Sequence, residues 1–175
     1  SLLDRSTTRD RAYAFVQVAV PSREQVPAYQ TLRSDIEQLV GRVNGDHGGP
    51  GWVPVTYLYR TLPFEEVIAY YVAADVMLDT PLRDGMNLVA KEYAASRIDD
   101  DGALILSEFA GAAEQLRAAV IVNPYDIDSV ADSIERATTM SPREQRNRMR
   151  RLRRSVRQSD VFEWARACLA TLEDL

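Results

Sequence analysis

One stretch of this sequence carries residue types that suit a phosphorylated sugar: Thr80-Pro81-Leu82-Arg83-Asp84-Gly85-Met86-Asn87-Leu88-Val89-Ala90-Lys91-Glu92. Gly85 lets the backbone bend closely around a ligand. The residues after it begin a helical pattern, so unpaired N–H groups and the positive end of the helix dipole face the turn. The natural occupant is an anion, a phosphate or a diphosphate. Asp84 can accept hydrogen bonds from sugar hydroxyls, and Glu92, further along the helix, can reach a ribose hung from that diphosphate. An ordinary capped turn has the same local pattern, so both readings stay open on these residues alone. Lys91, the one lysine of the chain, is either a phosphate contact or a surface residue on the face away from Glu92. Arg23 is a second candidate. Its guanidinium suits bidentate phosphate binding, and the alternative is a solvated arginine at a helix start.

Other chemistries lack their residues. A single cysteine, Cys168, forms no internal disulfide, and a single histidine, His47, makes no histidine metal cluster. His47 is expected at the surface, and Cys168 in the core. With 175 residues, 46% hydrophobic and 27% charged, the composition is that of a globular protein of about one domain. Residues 1–141 carry 12 basic and 21 acidic side chains, and residues 142–175 carry 9 basic and 5 acidic. The basic run Arg143, Arg146, Arg148, Arg150, Arg151, Arg153, Arg154 and Arg157 reads as the solvated face of a helix. The acidic remainder repels a phosphate backbone, so no nucleic-acid partner is expected. No apolar run approaches the ~20 residues that span a bilayer. The N-terminus lacks the apolar core of a signal peptide, so a reducing, cytoplasmic setting is expected.

These candidates need elements to hold them. Apolar runs predict strands at Tyr13–Val20, Val53–Tyr59, Val76–Leu78, Ala103–Leu106 and Ala119–Val122. Helical patterns fall between them: Glu24–Val43 with Ser22 as N-cap, Pro63–Ala74, a helix after Gly85 to Ser96, and a short one near Ala112–Leu116. Three more follow, at Ile127–Thr139, Pro142–Arg157 and Val161–Leu172. Asn44-Gly45-Asp46-His47-Gly48-Gly49-Pro50-Gly51 reads as a loop. Strands alternating with helices predict an α/β fold, a Rossmann-like doubly wound parallel sheet. Ligands of such sheets bind beyond the carboxyl ends of the strands, where both candidates lie.

Leu82-Arg83-Asp84-Gly85-Met86-Asn87-Leu88-Val89-Ala90-Lys91-Glu92 closely resembles the signature of trehalose-6-phosphate synthases. So do Leu106-Ser107-Glu108-Phe109-Ala110-Gly111-Ala112-Ala113 and Val122-Asn123-Pro124-Tyr125-Asp126. Upstream, Pro21-Ser22-Arg23, Ala28-Tyr29-Gln30 and Gly41-Arg42-Val43-Asn44-Gly45 are similar as well. The resemblance runs in order from Val18 to the C-terminus. It implies a retaining GT-B glycosyltransferase, two Rossmann-like domains with the active site between them, of which this chain is the C-terminal, donor-binding half. Residues 1–158 would be the donor-binding domain, without the family domain's first strand and turn and the Arg…Lys pair placed there. Residues 159–175 would form a helix packing toward the absent N-terminal acceptor domain, through Phe162, Trp164 and Leu169. A chain so truncated is expected to be inactive alone.

The resemblance also implies roles. Asp84 would hold hydroxyls of the transferred sugar and is the catalytic candidate. Gly85, Met86 and Asn87 would offer backbone N–H groups to that sugar, and Leu88 and Val89 to the diphosphate. Glu92 would bind the ribose, and Arg23 the phosphate of a sugar-phosphate acceptor. Leu62 and Phe64 stand where the family reads the base, and their departure from its bacterial pattern leaves a UDP- or GDP-linked donor open. The implied reaction transfers glucose from a nucleotide-glucose to glucose 6-phosphate, without a cofactor or a metal. Asp99-Asp100-Asp101 is similar to the metal motif of another glycosyltransferase class, but its place at a helix-to-strand turn predicts a solvated loop. A pseudo-glycosyltransferase joining a nucleotide-activated, valienol-type cyclitol to a phosphorylated amino-cyclitol is one alternative. A non-catalytic nucleotide-sugar sensor is another, and a homo-oligomer is open in each case.

Overall fold

A computed structural model describes residues 2–5 and 13–173; the side chains of 4, 5, 167, 168 and 173 lie outside the description, and with them the expectation for Cys168. The chain forms two compact units, Ser1–Phe64 and Glu65–Leu175.

In the first unit a short helix α1 (Leu2–Arg5) precedes strand β1 (Phe15–Ala19), helix α2 (Pro27–His47) and strand β2 (Val55–Tyr59). β1 pairs with β2 in parallel, from Phe15 opposite Val55 to Ala19 opposite Tyr59. Helix α2 departs from expectation at both ends. Its N-cap is Val26 rather than Ser22, with Pro27 directly after it. Proline fixes φ and lacks the N–H that a first helical residue leaves unpaired, so the helix starts there and not upstream. At the far end, Asn44, Gly45, Asp46 and His47 are helical instead of looped. Asn44 explains this: its Nδ2 donates to the Val55 carbonyl at 2.8 Å, and its Oδ1 accepts the Val55 N–H at 2.9 Å. That double bond to the start of β2 holds the last turn in place, and Gly48 ends it with its N–H on the Asn44 carbonyl.

The second unit continues from helix α3 (Phe64–Ala73) through strand β3 (Val76–Asp79), helix α4 (Leu88–Ser96), strand β4 (Ala103–Ser107) and strand β5 (Val120–Val122). Helices α5 (Ile127–Thr138), α6 (Pro142–Gln158) and α7 (Val161–Glu173) follow. The expected short helix after β4 is a single 3₁₀ turn, Gly111–Glu114. The strands form a parallel sheet in the order β3-β4-β5. Every residue of β4 is buried, because helices cover both sheet faces. Leu104 and Leu106 share one core with Tyr93, Ala90, Met149 and Leu152, while Ala103 and Ile105 share the other with Val122 and Ala137. This is the period-two alternation of a strand between two helical layers. The strand pairings are all parallel among the described residues and are divided between a two-stranded and a three-stranded sheet. No helix among the described residues is long and apolar enough to cross a membrane.

The turn at Asp99-Asp100-Asp101 is not simply solvated. Asp100 accepts from Arg150 Nε at 2.8 Å and from Arg153 Nη1 at 2.7 Å, and these two guanidinium groups hold its carboxyl below the usual range. Asp99 accepts from Arg97, which is itself buried and donates to the carbonyls of Tyr71, Val72 and Ala74 at the end of α3. The arginine run of α6 thus fastens that helix to the turn as well as facing water, while Met149 and Leu152 bury its apolar stripe.

Candidate functional site

The turn between β3 and α4 is built from both sides. After β3 ends, the Asp84 N–H donates to the Phe109 carbonyl at 3.2 Å, and the Gly111 N–H donates to the Asp84 carbonyl at 2.9 Å. Those two bonds form a one-residue parallel bridge, Asp84 opposite Ala110. The loop after β4 is held in turn by its neighbour strand, since the Glu108 N–H donates to the Val122 carbonyl at 2.9 Å. Buried Ser107 accepts the Phe109 N–H on its Oγ at 3.1 Å. Backbone packing at this point is very close. A Cβ placed on Gly111 would overlap the Gly85 carbonyl oxygen and stand 2.8 Å from its carbon and 3.3 Å from Met86 Cα. Gly85, by contrast, has open space where a Cβ would go.

The sharp bend belongs to Asn87. It has φ +70°, in the left-handed region, whereas the glycines with positive φ are Gly51 and Gly102. Asparagine tolerates this conformation because its short amide bonds locally. Here Asn87 Oδ1 caps α4 by accepting the Ala90 N–H at 2.9 Å. The cap takes one of the first amides of α4 and leaves those of Leu88 and Val89 without an intrahelical acceptor. Asp84 Oδ1 accepts the Met86 N–H at 3.1 Å, which closes an Asx turn within the loop. A ligand that needs the Met86 amide must open that turn.

The other predicted residues fall as follows. Glu92 is exposed, and its Oε2 accepts the Tyr71 hydroxyl at 3.2 Å. Burial, and then the Glu92 charge, push the Tyr71 phenol up to about 12, so it stays a neutral donor. The structure therefore brings Asp84, Gly85, Met86, Asn87, Leu88, Val89 and Glu92 together at the carboxyl edge of the β3-β4-β5 sheet, within the second unit. Arg23, Leu62 and Phe64 lie in the first unit. Leu62 is 8% exposed and Phe64 is 69% exposed, so of the two only the Phe64 ring is open to a partner. Arg23 has φ +50°, rare for a side chain of its size, and donates from Nη1 to the Tyr29 hydroxyl at 3.0 Å. Its guanidinium carbon lies 5.6 Å from the Tyr29 ring centre.

Four participants have no role in the sequence reading, although Gly111 and Tyr29 lie inside the motifs that carry the resemblance. Gly111, Tyr71 and Tyr29 lie far along the chain from their partners or on another element. Asp79 did leave a signal, as a carboxylate closing an apolar strand. It sits half-buried beside the Asn87 side chain, and its Oδ2 is buried without a hydrogen-bond partner. Burial raises its affinity for a proton above that of an ordinary carboxylate, with Asp84 adding to the rise and the Asn87 hydrogen bond opposing it. Among the described residues no group of histidine, cysteine, aspartate and glutamate is arranged to hold a metal ion.

Helix-head amides, a carboxylate before them and another along the helix suit a nucleotide-linked sugar. A family profile described as glycosyltransferase family 20 matches residues 1–174. The chain belongs to that family. It is 57% identical over 159 residues to a trehalose-6-phosphate synthase of Mycobacterium avium, covering 91% of this chain and 32% of the relative. A second synthase, from Mycolicibacterium smegmatis, is 53% identical over 171 residues, covering 98% and 34%. An E. coli structure bound with UDP-2-fluoro glucose is similar with a TM-score of 0.94 at 40% identity, covering 99% of this chain and 39% of that one. A UDP-forming alpha,alpha-trehalose-phosphate synthase from Burkholderia xenovorans, in complex with glucose-6-phosphate, has a TM-score of 0.93 at 39% identity, covering 98% and 38%. The chain spans about a third of the length of the curated relatives it matches. The α/β fold with parallel sheets is thus that of the family's solved GT-B enzymes.

Proposed function

We propose that this chain is the donor-binding part of a retaining glycosyltransferase that makes trehalose 6-phosphate from a nucleotide-glucose and glucose 6-phosphate. The carrying observation is the loop and helix start from Asp84 to Glu92, placed at the carboxyl edge of a parallel sheet in a chain of family 20. The Leu88 and Val89 amides receive the diphosphate, helped by the dipole of α4. Asp84 takes hydroxyls of the sugar, Glu92 takes the ribose, and Arg23 takes the phosphate of the acceptor. UDP is the favoured donor nucleotide, because the E. coli relative was solved with UDP-2-fluoro glucose and the Burkholderia relative is UDP-forming. Exposed Phe64 is the base contact, with Leu62, buried two residues earlier in the chain, as the second candidate there.

The protein's task in this reaction is placement and charge stabilisation. The donor diphosphate is both leaving group and proton acceptor, so the amides that hold it also stabilise its growing charge. Residues 1–158 form the donor-binding domain, and the helix within 159–175 packs toward an acceptor-binding domain of the same protein. Exposed Phe162, Trp164 and Leu169 on α7 supply apolar surface for that contact. The enzyme works in the cytoplasm. No observation favours the pseudo-glycosyltransferase or the sensor.

The test is product analysis by mass spectrometry with the complete protein, UDP-glucose or GDP-glucose as donor, and glucose 6-phosphate as acceptor. Trehalose 6-phosphate formed chiefly from UDP-glucose is the expected result. Transfer only with a cyclitol donor, or nucleotide binding without any transfer, would overturn the proposal.

A further inference from the structure

We propose that Asp79 is a positioning residue of the donor site, holding the Asn87 amide in place and taking up a proton when a nucleoside diphosphate binds at the head of α4. The inference rests on the donor-site reading. Asp79 is the last residue of β3, and β3 runs directly toward the turn that carries Asp84 and Asn87. Asn87 is buried, left-handed at φ +70°, and uses its Oδ1 to cap the Ala90 N–H. Its side-chain amide nitrogen is then the group left to bond the Asp79 carboxyl. Without that bond the Asn87 amide could rotate and release the cap. The first turn of α4, with the Leu88 and Val89 amides, would lose its fixed direction.

The second Asp79 oxygen argues for the proton. Oδ2 is buried and has no hydrogen-bond partner. Burying an ionised carboxylate with one oxygen unpaired costs more than burying a neutral O–H there, and the acid can still accept the Asn87 bond on its other oxygen. The surroundings point the same way. From the adjoining turn comes the Asp84 carboxylate, whose charge favours the neutral acid, while the Tyr71 phenol of α3, hydrogen-bonded to Glu92 of α4, adds no charge of its own. Asn87 is the neutral neighbour, and β4 sets Leu106 opposite Asp79 in the ladder. No cation acts on Asp79 among these groups. A diphosphate arriving at the head of α4 adds negative charge to an already acidic surrounding. The neutral acid then gains over the carboxylate, and the two binding events favour each other.

The experiment measures UDP binding to the complete protein by calorimetry across pH, in two buffers of different ionisation enthalpy, for wild type, Asp79→Asn and Asp79→Ala. UDP has its own titrating phosphate, so the readout is the difference between wild type and variant. Asparagine imitates the neutral acid in shape and in hydrogen bonding. Asp79→Asn is expected to match wild type at low pH, to bind more tightly than wild type at high pH, and to lose the protein's share of proton uptake. Asp79→Ala is expected to weaken UDP about five- to tenfold at low pH, the effect of one lost hydrogen bond, with the acceptor KM unchanged. A purely structural residue would alter the melting temperature and leave the proton linkage alone. Equal pH profiles for wild type and Asp79→Asn would overturn the proposal, as would a parallel shift of donor and acceptor KM in Asp79→Ala. If Asp79→Ala fails to fold, the asparagine arm decides. Failure of UDP to bind wild type at any pH would instead defeat the donor-site reading, and this inference would fall with it.

Discussion

Replacing Gly111 with alanine would place a methyl group where the Gly85 backbone already lies. The new Cβ would overlap the Gly85 carbonyl oxygen, with the Gly85 carbon at 2.8 Å and Met86 Cα at 3.3 Å. All three are backbone atoms, so no side chain can rotate away. The loop from Gly111 and the loop from Asp84 must separate instead. Separation strains the Gly111-to-Asp84 bond of 2.9 Å and the Asp84-to-Phe109 bond of 3.2 Å. Each is worth about 0.5–1.5 kcal/mol, so stability should fall by about 1–3 kcal/mol, the usual range for overpacking. The same movement shifts Asp84 and Met86 out of line with the head of α4. About 1.4 kcal/mol of lost complementarity lowers UDP affinity roughly tenfold. Denaturant unfolding and UDP calorimetry on the complete protein measure the two effects. Gly85→Ala is the control: its Cβ meets no atom within 4 Å, so the fold should be unchanged to within about 0.5 kcal/mol. A Gly111→Ala variant with wild-type stability and wild-type UDP affinity would refute the reasoning.

Arg23→Ala should raise the acceptor KM about 10- to 150-fold, from the loss of a charge-assisted contact, and leave the donor KM near wild type; steady-state kinetics with each substrate varied decides. Tyr29→Phe removes the hydroxyl that receives Arg23 Nη1 and should raise the acceptor KM in the same direction by a smaller factor. Glu92→Ala should weaken UDP binding by roughly 1.5–3 kcal/mol, the value of a hydrogen bond to a charged carboxylate, as read by calorimetry. Asp79→Asn should stabilise the fold at neutral pH and match wild type in acid. The folded Asp79 holds its proton more tightly than the ordinary 3.8, so its contribution falls as pH rises from there through the folded value. Urea unfolding at a series of pH values checks the sign.

What could be read along the chain was local. Apolar runs and helical spacing located five strands and the helices between them, with ends shifted by a few residues. Motif order resembles the trehalose-6-phosphate synthases, and the residues that begin α4 read as an anion-facing helix head. These features depend on neighbours three or four residues apart, or on side chains alternating across a strand. The end of α2 was misjudged because Asn44 and Gly45 favour a loop locally, and only the Asn44 bonds to Val55 show why the helix continues. The Asp99-Asp100-Asp101 turn looked solvated because Arg150 and Arg153 lie about fifty positions away in the sequence. The site divides in the same way. Asp84, Glu92 and the helix-head amides are legible as a pattern. The close approach of Gly111 to Gly85 and the orphaned oxygen of Asp79 exist only once β3 and β4 lie side by side. Sequence marks which groups can bind a phosphate or a hydroxyl. Tertiary packing decides which backbone must be glycine and which carboxyl oxygen is left buried without a partner, because both depend on atoms brought close by the sheet rather than by the chain.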